Sequence, residues 1–207
     1  MVGSFENTPI VLGREMYVVT PGEGGVQRVI RLDSTTGEVT WQATITGDAA
    51  SEQAATEDLH LPTHFGPNRG VAVYGDKVYV GTLNGKLRAI ERSSGETAFE
   101  VQTLSPRLTG APVAALGKIV QGISFVDRGA VQAFDAATGA LAWTWYAIPS
   151  PEDGGWWGEW IENLPGRPEI SLERDIAWEK ANQTRLADGW KTGGASAPMT
   201  PTVDAER

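Results

Sequence analysis

The residues with chemical potential are few. His60 and His64 stand four apart, a spacing that on a helix would present two imidazoles to one zinc ion. Pro62 lies between them and no third ligand stands nearby, so a pair within a loop is expected. The 207 residues contain no Cys, which removes thiol catalysis, disulfides and Cys-based zinc sites and leaves the redox compartment unread. There is no G-x-S-x-G and no P-loop. Asn182-Gln183-Thr184 matches the glycosylation sequon, a pattern short enough to recur by chance. Trp156, Trp157 and Trp160 follow the loop-forming stretch PSPEDGG (149–155). Such a cluster can stack on sugars or a flat cofactor, or it can pack a loop onto a sheet, and both readings stay open.

Composition narrows the partners. With 17 Lys+Arg against 26 Asp+Glu, the net charge is −9, so phosphate backbones are repelled and nucleic acid is not an expected partner. No basic cluster offers an anionic membrane a hold, and no apolar run is long enough to span one. The N-terminus, MVGSFENTPI, has neither a basic start nor an apolar core, so no signal peptide is expected in this chain. Gly (25) and Pro (12) are in excess, which calls for many turns and short strands.

An internal repeat organises those strands. RVIRLDSTTGEVTWQATI (28–45), KLRAIERSSGETAFEVQT (86–103) and AVQAFDAATGALAWTWYA (130–147) each read as strand, acidic residue, small polar turn, Gly and second strand. An aromatic residue follows four positions after each turn glycine: Trp41 after Gly37, Phe99 after Gly95, Trp143 after Gly139. Asp33 and Asp135 can close an Asx-turn, and the glycine supplies the positive φ that the hairpin needs. Before each copy lies a second hairpin, turning at Gly13, Gly75 or Gly117. The unit is therefore four strands, and four-stranded units at this period are propeller blades. The expected fold is all-β: a partial β-propeller of about three four-stranded blades over residues 1–147, with a partly helical insertion. Three blades cannot close a ring, and an open arc exposes raw sheet edges. The chain is thus expected to be an internal piece of a longer protein.

Residues 148–191 break the repeat. A helix is expected over 171–186, with Ser171 as N-cap, Glu173 and Asp175 favouring the dipole, and Gly189 as the stop. An excursion of this length serves either as a lid or binding loop or as a cover for a sheet edge. Residues 192–207 read as the start of the next blade.

The repeat, with its DAATG turn and following Trp, resembles the PQQ enzyme repeat. The order of segments, from SFENTP to GGASAPMTP, is similar to that of the quinoprotein (PQQ-dependent) alcohol dehydrogenases, the methanol-dehydrogenase-like family of eight-bladed propellers. The resemblance implies pyrroloquinoline quinone (PQQ) and usually Ca²⁺ on the ring axis. It implies oxidation of a small alcohol or sugar, an electron acceptor such as a cytochrome c or a quinone, and a periplasmic location. ENTPIV resembles the segment whose Glu bonds the quinone, pointing to Glu6. NRGVA (68–72) resembles the segment whose Arg pairs with a cofactor carboxylate, pointing to Arg69, and LTGAP (108–112) points to Thr109. A planar guanidinium suits a tricarboxylate because it can give two parallel charge-assisted hydrogen bonds.

The departures from the family pattern are specific. Thr63 and His64 stand where adjacent cysteines are common. GISFVDRG (122–129) is shorter than its counterpart and lacks the Glu that ligates Ca²⁺, leaving Asp127 as the nearby carboxylate, so no metal ligand is assigned. Pro198 stands where a Trp usually floors the quinone, and the catalytic Asp and the Asn ligand would lie beyond Arg207, so no catalytic residue is assigned. The chain reads as part of a PQQ-dependent dehydrogenase. The alternative is a cofactor-less PQQ-like propeller serving as a binding or assembly scaffold.

Overall fold

The computed structural model describes residues 6–21, 26–45, 68–124, 126, 128–150, 152, 162–164, 166–182, 184, 188–191, 197 and 200–204. His60, Thr63, His64, Asp127, Trp156, Trp157, Trp160, residues 193–196 and Pro198 lie outside them.

The expected all-β fold is what the chain adopts: three four-stranded antiparallel sheets, each a meander in chain order. Blade 1 is β1 (Ile10–Leu12), β2 (Glu15–Pro21), β3 (Gln27–Asp33) and β4 (Val39–Ile45). Blade 2 is β5 (Val71–Tyr74), β6 (Lys77–Gly81), β7 (Lys86–Glu91) and β8 (Thr97–Gln102). Blade 3 is β9 (Val113–Ala115), β10 (Lys118–Ile123), β11 (Ala130–Asp135) and β12 (Leu141–Tyr146).

The repeated turn is built as its residues dictate. Asp33 Oδ1 accepts from the Thr35 hydroxyl (2.6 Å) and from the amides of Thr35 and Thr36. These bonds, the Thr35 hydroxyl first, draw its pKa down to about 2. Asp135 does the same with Thr138 and Ala137, and its pKa is likewise lowered, chiefly by the Thr138 hydroxyl. Each third strand carries a register shift against its fourth strand just before the turn.

The core lies between blades rather than within them. Tyr17, Val19, Val29 and Ile45 of blade 1 pack on Val71, Val78, Val80 and Ile90 of blade 2. Ala72, Tyr79, Leu87 and Ala89 of blade 2 pack on Ile119, Phe134 and Ala136 of blade 3. The repeated aromatic closes each interface over the next turn glycine. A Cβ on Gly95 would stand 2.9 Å from the Trp41 ring, and one on Gly139 would stand 2.6 Å from Phe99. Both positions have positive φ (78° and 76°), so glycine answers two demands at once. The third aromatic, Trp143, is 46% exposed on the outer strand of blade 3, beside Leu141 and Trp145.

The excursion departs from expectation. Residue 171 does not begin a helix: β13 (Asn163–Leu164) and β14 (Arg167–Ser171) form a hairpin, with Ser171 paired to Asn163. Glu173 has φ +52°, which no α-helix accommodates. The helix, α1 (Ile176–Ala181), begins after Asp175, whose carboxylate accepts from the Trp178 amide at 2.8 Å. Gly189 starts a short 3₁₀ turn (Gly189–Lys191). That turn sets Trp190 against Arg128, whose guanidinium also covers Tyr146 at 3.9 Å.

Candidate functional site

The segments that lead into the first strand of each blade lie side by side. The Thr8 amide donates to the Arg69 carbonyl (3.4 Å), and the Arg69 amide donates to the Thr109 carbonyl (2.9 Å). Three positions distant in sequence are thereby threaded together at the inner end of the blades.

Asn68 sets the middle of this thread. It is buried, its side-chain amide donates to the Gly81 carbonyl (2.8 Å), and its Oδ1 accepts from the Gly70 amide (2.9 Å). This Asx-turn fixes the backbone of Arg69. Gly70, at φ +132°, admits the Thr8 carbonyl so closely that a Cβ would sit 3.2 Å from it. Leu108, fully buried against Gly81, holds the third segment in place.

On this frame Arg69, Thr109 and Glu6 converge. Arg69 Nη1 donates to the Thr109 hydroxyl (3.2 Å), and Arg69 Nη2 pairs with Glu6 Oε2 (3.1 Å). The Arg69 side chain is 29% exposed and that of Glu6 is 44% exposed, so the pair faces open space while Thr109 is buried beneath it. The three residues to which the resemblance points are therefore one cluster, although they come from three blades.

Sequence reasoning does not single out the further polar groups nearby. Ser105 is buried, and its hydroxyl lies 2.5 Å from the Arg107 carbonyl and 2.6 Å from the Ser124 carbonyl. The buried Ser124 hydroxyl and the buried Nε of Arg107 have no hydrogen-bond partner among the described residues. Burial without a counter-charge pushes the Arg107 pKa down. A buried donor left unmet is costly unless a ligand meets it. The one sequence signal for these groups is their place on the loops beside Thr109 and after β10. The part-open Arg69 guanidinium, with the Thr109 hydroxyl against it, fits an anionic ligand rich in oxygen, as PQQ is. It does not amount to a metal centre: among the described residues no three of His, Asp or Glu stand together as ligands. No helix among the described residues is long and apolar enough to cross a membrane.

Comparison with known proteins agrees with the blade pattern. A PQQ-repeat family model, described as outer membrane protein assembly factor BamB, matches residues 27–154. Quinohemoprotein alcohol dehydrogenase ADH IIB of Pseudomonas putida is 34% identical over 174 residues, covering 81% of this chain and 22% of that protein. The dehydrogenase subunit of the quinone alcohol dehydrogenase of Gluconobacter oxydans is 29% identical, covering 94% of this chain and 24% of that one. The crystal structure of quinohemoprotein alcohol dehydrogenase from Comamonas testosteroni superposes over 98% of this chain and 28% of its own, with a TM-score of 0.66 at 26% identity. A europium-containing methanol dehydrogenase matches with a TM-score of 0.58 at 27% identity, over 70% of this chain and 25% of its own. The chain spans about a fifth to a third of the length of the curated relatives it matches. On repeat, fold and sequence together, the chain belongs to the family of PQQ-dependent alcohol dehydrogenases.

Proposed function

We propose that this chain forms the first blades of a PQQ-dependent dehydrogenase and that Glu6, Arg69 and Thr109 hold the cofactor. The observation that carries this reading is the convergence of Glu6 and Thr109, from two other blades, on the one part-open guanidinium of Arg69. Bound PQQ would supply a two-electron acceptor for hydride from the carbon of a small alcohol or aldose. Arg69 would bind a carboxylate with its fork and orient the ring system. Thr109 would keep the guanidinium in place from below and offer its proton to a ligand oxygen. Glu6 can only accept, so it would take the pyrrole N–H and at the same time steady Arg69.

The substrate would be a small alcohol or sugar, and electrons would leave to an acceptor such as a cytochrome c or a quinone, in the periplasm. Calcium needs six or more oxygen ligands, and among the described residues no three of His, Asp or Glu stand together to supply them. The division at residues 147 and 191 into blades, insertion and next blade belongs to the same proposal. A second reading, a cofactor-free propeller serving as an assembly scaffold, draws on the description of the matching family model.

One titration separates the two. In the full-length protein, Arg69→Ala is expected to weaken PQQ binding by about 1.5–3 kcal/mol, the weight of a charge-assisted hydrogen bond. Equal affinity in wild type and variant would refute the role of Arg69. No binding by either would favour the scaffold.

A further inference from the structure

Arg107 is a second cation, two residues before Thr109 in the chain, and nothing among the described residues neutralises it. Arg31, Arg69, Arg88 and Arg92 each rest on a carboxylate. Arg107 rests on none among the described residues. It is partly buried and its Nε is shut off from solvent without an acceptor. The chain is rich in acids, with 26 Asp+Glu against 17 Lys+Arg, so a shortage of partners does not explain this.

The backbone of Arg107 is tightly held. Its amide donates to the Ser105 hydroxyl (3.2 Å), its carbonyl faces the same hydroxyl, and that hydroxyl also ties the loop to Ser124. Leu108, the next residue, is fully buried. A part-buried cation on so fixed a loop, with no carboxylate against it among the described residues, is arranged for an anion that arrives from outside. Thr109, which touches Arg69, is two residues on, and two residues span at most about 7 Å. An arginine side chain covers that distance.

We infer that Arg107 is a second anchor for the same ligand and takes a carboxylate other than the one bound by Arg69. This rests on the PQQ reading and extends it to a residue that the resemblance does not name.

The test titrates the full-length apoprotein with PQQ and with its trimethyl ester, in which the carboxylates are masked, following Kd by fluorescence and the melting temperature of the apoprotein. Arg107→Met should raise Kd for PQQ about 10- to 100-fold, the worth of one charge-assisted bond. It should leave the ester's Kd nearly unchanged and should not lower the apoprotein's melting temperature, since the variant removes an unpaired charge. Arg107→Lys keeps the charge but loses the fork, and should bind several-fold more weakly than wild type. Wild-type affinity in both variants, with Arg69→Met weakened, overturns the inference and leaves the PQQ reading standing. A lowered apoprotein melting temperature in Arg107→Met with unchanged Kd also overturns it, because the cation would then belong to an ion pair of the fold. Failure of the wild type to bind PQQ overturns the PQQ reading, and this inference falls with it.

Discussion

The interface between blades 1 and 2 and the interface between blades 2 and 3 share one plan but use different chemistry. Each has a buried tyrosine on the second strand, Tyr17 or Tyr79, tilted against the aromatic of the fourth strand, Trp41 or Phe99, at 6.0 and 6.4 Å. Each has a turn carbonyl from the next blade within reach, that of Arg92 or Ala136. Across blades 1 and 2, the Arg92 carbonyl accepts from Trp41 Nε1 (2.9 Å) and Arg31 (3.2 Å). The Tyr17 hydroxyl is then released to donate to Glu15 (2.5 Å), which Arg31 and Arg92 also hold at 2.7 and 2.6 Å. Across blades 2 and 3, Phe99 has no N–H to give, and the Tyr79 hydroxyl itself donates to the Ala136 carbonyl (2.6 Å). At this corner one interface is an ionic network and the other a single neutral bond. The repeat therefore specifies where the donor must arrive, and each copy is free to choose which side chain brings it.

The largest effect expected from breaking this plan is at the turn glycine. Gly139→Ala forces a left-handed backbone onto an L residue and drives a Cβ into Phe99, and about 3 kcal/mol should be lost. Gly37→Ala shares the φ penalty but meets nothing within 4 Å, so its loss should be about 1 kcal/mol. Chemical denaturation of the two variants of the full-length protein checks the difference. Equal losses would show that the aromatic does not press on the turn.

Next in size is Glu15. Glu15→Gln leaves two part-buried guanidiniums without their anion and should cost about 2 kcal/mol. Acid should act on the same point. The Glu15 carboxyl is held below its ordinary 4.5, first by the Tyr17 hydroxyl, then by Arg92 and Arg31. A depressed folded-state pKa stabilises the fold above the unfolded value, and that stability fades as pH falls below about 4.5 and through the folded value. Hydrogen exchange at pH 3 against pH 7 should therefore show β2 and β3 losing protection before β6 and β7. Simultaneous loss would contradict the assignment.

The smallest effect sharpens the neutral side. Tyr79→Phe leaves the Ala136 carbonyl without its donor and should cost about 1 kcal/mol. Adding Phe99→Trp in that background restores an N–H at the place Trp41 uses, so part of the loss should return in a double-mutant cycle. Strict additivity would mean that the two interfaces are not versions of one plan.

These two interfaces are unequally legible in the sequence. The turns and the aromatic four residues after each glycine repeat at a fixed offset, so the order of residues alone marks out the blades. It does not mark out the Glu15–Arg31–Arg92 network, whose members lie 16 and 77 residues apart and meet only through strand pairing and blade stacking. The site divides likewise. Glu6, Arg69 and Thr109 belong to short segments that resemble a family. Arg107 and Ser124 become visible only once burial shows which donors have nothing to bond. The sequence reading misplaces the start of the helix at Ser171 because residue type alone does not tell one capping side chain from another four residues on. Pairing of Ser171 with Asn163 and the left-handed Glu173 decide for Asp175.

The central claim is that the Glu6–Arg69–Thr109 cluster holds PQQ, and a thermal melt of the full-length apoprotein with and without PQQ, in the presence and absence of Ca²⁺, tests it most directly. At 100 times its Kd the cofactor should add about 2.7 kcal/mol of stability and raise the melting temperature, and Arg69→Ala should abolish most of that rise. A cooperative melt that PQQ does not move, in wild type and variant alike, would contradict the claim and leave the blades a scaffold.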